Sequence, residues 1–88
     1  MQFMTIHRAP GLTKKQIVDN ATAILEGKNA RFVQNFVNLR DGFMITVYEA
    51  VNRDALEREF EQLGFPFDEI HEIEFTMIHA GLTRTTLH

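Results

Sequence analysis

The 88 residues allow one domain, because two separate cores in so short a chain would each be too small to stand without staples. Cysteine is absent, which excludes disulfides, thiolate metal sites and cysteine nucleophiles and leaves packing to hold the fold. Lys plus Arg 9 against Asp plus Glu 12 give a net charge of -3 with no basic block, which argues against nucleic acid or an anionic membrane as a partner.

Taken in chain order, Gln2 to Arg8 mixes Phe3, Met4 and Ile6 with Thr5 and stops at Pro10-Gly11, the pattern of a strand closed by a turn. Thr13 stands three residues before Gln16 as in a capping box, and Ile17, Ala21, Ile24 and Leu25 recur at helical spacing, with Gly27 as the stop. From Arg31, two β-rich runs flank Asp41-Gly42 and predict a hairpin, the first carrying Phe32, Val33, Phe36 and Val37, the second Phe43 to Tyr48. Asn52 is placed to cap a second helix with Ala55, Leu56, Phe60 and Leu63 as its apolar stripe and Gly64 at its end. Its outer face carries Arg53, Glu57, Arg58 and Glu61 and reads as a solvated surface. Glu69 to Ile78 predicts a fourth strand, and His79 to His88 follows as a tail without periodic pattern. The domain is therefore expected to span residues 1–78, with 79–88 as the tail. No apolar run approaches a membrane span and Met1 to Pro10 lacks the regions of a signal peptide, so a cytoplasmic protein is expected.

The order βαββαβ with right-handed crossovers sends both helices to one face of an antiparallel sheet, which is the ferredoxin-like arrangement of the α+β class. Its other face should then be polar at every second residue, and here it is not. In strand three Phe43, Ile45 and Val47 alternate with Met44 and Tyr48, so both faces are apolar. A second copy packed sheet to sheet, as in a dimeric α/β barrel, is the simplest cover, so a homodimer is expected.

Several short stretches occur together: His7-Arg8-Ala9-Pro10-Gly11-Leu12-Thr13 at the first turn, Arg31-Phe32-Val33, Glu49-Ala50, and Phe65-Pro66-Phe67-Asp68-Glu69-Ile70. Their order and spacing resemble a family of short ferredoxin-like domains of poorly known function, some of which are described as nickel-binding or nickel-responsive. The resemblance runs from Phe3 to Ile73. It implies the same fold, dimerisation through the sheet face, and a metal or small-ligand site near His7. Many members carry histidines in and just after the second helix, where this chain has Phe60 and Leu63, so those two imidazoles are missing.

In the usual strand order of this fold, strand four runs antiparallel beside strand one, which brings His7 near His71 and Glu72. Taking Met4 and Ile6 as the residues packed on the helices places Phe3, Thr5 and His7 on the open face, where Glu72 and Glu74 also fall. Imidazole with carboxylate suits Ni²⁺ or another divalent metal, and His7 with Glu72 is the ligand pair to expect, completed by a second copy. Glu72 and Glu74 would also form an acid and base pair if buried together. Tyr48, the one tyrosine, is expected to turn its hydroxyl into the same cavity.

RNA-recognition domains share the topology, and Asp41 to Tyr48 faintly resembles their central motif, but Asp41 and Ile45 stand where they need a base and an aromatic ring. Serine is absent, so no serine nucleophile exists. The expectation is a small cytoplasmic homodimeric binding protein holding a divalent metal, nickel by resemblance, or a small molecule between the sheet faces, with Thr5, His7, Tyr48, Glu72 and Glu74 lining the site. The alternative is a cofactor-independent enzyme resembling small monooxygenases and cyclases of the dimeric α/β-barrel type, using the same residues.

Overall fold

Each helix begins where a side chain replaces the backbone acceptors a first turn lacks. In the computed structural model, which describes residues 1–85, the Thr13 hydroxyl accepts from Gln16 N at 3.2 Å. Gln16 Oε1 accepts from Thr13 N at 2.9 Å in return, completing the capping box that starts α1 (Lys14–Leu25). Asn52 Oδ1 accepts from Ala55 N at 2.8 Å and starts α2 (Arg53–Leu63). Gly64 ends that helix at φ 71, in the left-handed region, with its N–H turned back on the carbonyls of Phe60 and Glu61. A cap of either kind stabilises its helix by about 1 kcal/mol.

Strands β1 (Gln2–Arg8), β2 (Arg31–Asn38), β3 (Phe43–Glu49) and β4 (Glu69–Ile73) form one antiparallel sheet in the order β2-β3-β1-β4. With α1 after β1 and α2 after β3, the architecture is the ferredoxin-like βαββαβ expected from the sequence. The core lies between the sheet and α2, where Leu56 and Phe60 are buried against Phe3, Tyr48 and Ile70. Burying an aliphatic or aromatic side chain of this size contributes roughly 1.5–3 kcal/mol. Phe60 is the hub: its ring meets Tyr48 edge-on at 5.4 Å and His7 at 5.1 Å. Helix α1 packs more loosely, with Ile17, Ala21 and Ile24 only half-buried.

The face assignment of β1 is the reverse of the one expected. Phe3, Thr5 and His7 are the buried residues and face the helices, while Met4 and Ile6 are half-buried on the opposite side. Met4 and Ile6 are the more apolar phase of β1, and what reverses it is that hydrogen bonds satisfy Thr5 and His7 inside while Phe3 fills the space beside Leu56. Tyr48 pairs with Phe3 and follows it to the helix side. In β2 a bulge between Phe32 and Gln34 changes the phase, so Phe32 turns inward with Tyr48, whereas Phe36, opposite Ile45, turns outward. The open face thus carries Met4, Ile6, Phe36, Ile45 and Val47, and remains apolar as expected.

Two connections also differ from the simplest reading. The hairpin around Asp41-Gly42 has a four-residue loop, since Asn38 pairs with Phe43. Asn38 Oδ1 accepts from Asp41 N at 2.9 Å, and Gly42 sits at φ 71 so close to Pro10 that a Cβ would lie 2.8 Å from its Cα. The strand expected over Glu69 to Ile78 breaks at Glu74, and Phe75–Ile78 (β5) leaves the sheet to pair with Gly81–Arg84 (β6). Phe75, Met77, Ile78 and Leu82 of this hairpin are exposed, so it does not cover the open face. His79 lies in its turn; His88 lies outside the described residues.

Candidate functional site

A cavity of about 200 Å³ opens between α1 and the helix-covered side of the sheet. It exists because α1 stands off: Leu12, Ile17 and Ile24 form a roof that does not reach the floor of Asn35, Thr46 and Tyr48. His7 closes one end together with Phe65 and Pro66. This cavity lies on the opposite side of the sheet from the open face, where the sequence placed a site between two copies.

His7 is 7% exposed and both its ring nitrogens are engaged. Nδ1 lies 2.9 Å from the Pro66 carbonyl and donates to it, because a carbonyl only accepts. Nε2 lies 2.9 Å from the Thr5 hydroxyl, which also reaches the Thr46 carbonyl at 3.1 Å. The loop that brings Pro66 here is held by Asp68, whose Oδ2 accepts from Arg8 N at 2.6 Å and whose N–H donates to the Ile6 carbonyl at 2.9 Å. His7 is thus a buried brace between β1 and the loop after α2.

Of the residues singled out in the sequence, Thr5 and His7 meet in a hydrogen bond, and His7 and Tyr48 both pack on the ring of Phe60. The two glutamates are elsewhere. Glu72 pairs with Phe3, four residues along β1 from His7, and is exposed. Glu74 lies at the break between β4 and β5, also exposed. The pair His7 with Glu72 does not converge, because antiparallel pairing carries Glu72 toward the start of β1 as His7 ends it. Glu72 and Glu74, expected to act as acid and base if buried together, are both exposed and outside the cavity lining.

Tyr48 is 2% exposed, and burial, with Glu59 adding to it, pushes its pKa from 10.0 up to about 12. The hydroxyl therefore stays protonated throughout the physiological range and acts as a neutral hydrogen-bonding group.

Two residues that the sequence pattern did not single out matter here. Asn35 interrupts an apolar strand, and its Oδ1 is buried without a hydrogen-bond partner among the described residues, while Nδ2 contacts Met44 Sδ at 3.9 Å. Glu59 is 1% exposed, and Asn29 donates to its Oε1 through the backbone N–H at 3.1 Å and Nδ2 at 3.3 Å. The signal for Glu59 is its position on the apolar stripe, one turn from Ala55, Leu56 and Leu63 and next to Phe60.

Residues 3–73 match the family described as nickel responsive protein SCO4226-like. The chain belongs to this family. Among solved structures it is similar to SCO4226 from Streptomyces coelicolor A3(2), with 29% sequence identity and a TM-score of 0.78, over 86% of this chain and 99% of that one. No curated protein matches the chain. Membership in the SCO4226-like family poses the metal question, and the side chains answer it in part. Among the described residues no group of three His, Asp or Glu converges on one point. One imidazole and carboxylate pair does meet, His71 Nε2 and Glu69 Oε1, 3.0 Å apart and exposed on edge strand β4. Met4 opposite His71 and Ile6 opposite Glu69 place that pair on the open face. Among the described residues no helix is long and apolar enough to cross a membrane.

Proposed function

We propose that this is a small cytoplasmic binding protein that works as a homodimer through the open sheet face and takes up a divalent metal, nickel foremost, at the edge of that face. The observation that carries the reading is the open face itself, where Met4, Ile6, Phe36, Ile45 and Val47 form a continuous apolar surface across three strands. A surface of that kind marks an interaction site, and a second copy meets it with the same pattern. Phe36, 53% exposed, is the residue with most to gain from being covered.

The metal half of the reading rests on the family's description as nickel responsive and on the chemistry of His71 and Glu69. Imidazole and carboxylate are donors that a borderline cation such as Ni²⁺ accepts, and an exposed pair yields its mutual hydrogen bond at small cost. Two donors do not complete a nickel sphere, so the rest come from water or from the second copy. His7 is a poorer ligand, since binding would break its hydrogen bond to Thr5 inside the fold.

Calorimetric titration of Ni²⁺ into chelator-treated protein, beside His71→Ala and His7→Ala, tests this. Micromolar binding that His71→Ala weakens at least tenfold and His7→Ala leaves in place supports the assignment. Binding lost only in His7→Ala moves the site to the buried histidine, and no binding by the parent chain removes nickel from the account.

A further inference from the structure

The cavity beneath α1 lies on the opposite side of the sheet from the apolar open face, so a ligand held there is independent of the dimer and of nickel. Three properties of the cavity narrow what it accepts. The first is size. An engineered apolar cavity of about 150 Å³ takes up benzene, so a space of about 200 Å³ has room for a small aromatic molecule. The second is charge. Among the described residues the lining holds no carboxylate, and its permanent cation, Arg8, is exposed at the margin, which leaves a neutral interior. The third is an unmet hydrogen bond.

Asn35 Oδ1 lies on the cavity floor, buried and without a partner among the described residues. A buried acceptor of this kind costs roughly 1–3 kcal/mol until a donor reaches it. Among the described residues none supplies it. Gln16, Asn20, Thr46 and Tyr48 also line the cavity, and none of them donates to this oxygen. Beside it Ile17, Ile24 and Phe60 offer apolar walls.

We infer that the cavity beneath α1 binds a small neutral aromatic molecule carrying one N–H or O–H donor, with the ring between α1 and Phe60 and the donor on Asn35 Oδ1. Apolar walls supply affinity and the orphaned oxygen supplies selection, because a ring without a donor leaves that oxygen unpaired. Tyr48, protonated at physiological pH, adds a second polar point on the same floor.

The test uses the full chain with two probes of nearly equal shape, indole, which has the donor, and benzofuran, which has an acceptor in its place. Binding is followed by shifts of backbone amide resonances during titration. Indole should bind saturably below millimolar concentration and benzofuran at least tenfold more weakly, with shifts concentrated on residues of α1 and on β2 near Asn35. Asn35→Leu keeps the size of the side chain and removes the orphan oxygen, so it should abolish the difference between the probes while leaving the fold intact. Ile17→Trp fills the cavity from a half-buried helix position and should abolish binding of both. Absence of saturation by either probe, equal affinity for the two, or an undiminished preference in Asn35→Leu would each overturn the inference.

Discussion

His7 Nδ1 and the Pro66 carbonyl meet at 2.9 Å, joining the end of β1 to the loop that returns from α2. With Asp68 gripping the same strand end, this contact sets where β4 begins, and so which residues of β1 and β4 stand opposite one another.

Replacing His7 by Ala removes one buried and one part-buried hydrogen bond and an edge contact with Phe60, and is expected to lower unfolding free energy by roughly 2–4 kcal/mol. Urea denaturation followed by circular dichroism measures it. A loss below about 0.5 kcal/mol would mean that the brace is not structural and would return His7 to consideration as a functional group.

Gly27 sits where a Cβ would fall 1.6 Å from Glu59 Oε2. Its φ is outside the left-handed region, so the requirement for glycine is one of space. Gly27→Ala must displace a carboxylate that Asn29 holds, and is expected to cost roughly 1–3 kcal/mol. In a Glu59→Ala background the same substitution should cost almost nothing, and a double-mutant cycle reads the difference. Additive losses would show that the two residues do not compete for the same space.

Tyr48 gives a pH dependence with a definite sign. Its folded pKa is raised, so the stability it contributes is complete below pH 10 and is lost as pH rises toward 12. The loss across that interval is roughly 2–3 kcal/mol from this group alone. Tyr48→Phe keeps the ring against Phe60 and Phe32 and cannot ionise, so the difference in stability between the two proteins should shrink in that window by the same amount. Parallel stability curves for the two above pH 10 would contradict the buried placement of the hydroxyl.

The elements and their order were legible because each rests on local chemistry: Thr13 with Gln16, Asn52 before an apolar stripe, Gly64 after it. Faces were less so. Met4 and Ile6 outrank Thr5 and His7 in hydrophobicity, and nothing in β1 itself shows that the polar pair will be satisfied by Pro66 and Thr46 from far along the chain. The bulge in β2 compounded this, since Phe32 and Phe36 share a phase in sequence and take opposite faces in the sheet. The open face is apolar whichever way β1 turns, because both phases of β2 and β3 carry apolar residues, and for that reason the expectation of a partner did not depend on the choice. The cavity was invisible because it arises from the distance at which α1 settles, which no residue of α1 declares. Asn35 within an apolar strand and Glu59 on an apolar stripe were readable as exceptions to pattern, and both are buried polar groups in the fold.

The most direct test of the proposed dimer is sedimentation equilibrium of the full chain at about 10 micromolar, beside Ile45→Glu. Ile45 is half-buried at the centre of the open face, opposite Ile6 and Phe36. The parent chain is expected to sediment at twice its 10.2 kDa and the variant as a folded species of 10.2 kDa, since the charge is harmless in water and costly beneath a second sheet. A parent chain that stays at 10.2 kDa across the concentration range, or an Ile45→Glu variant that pairs as well as the parent, would contradict it.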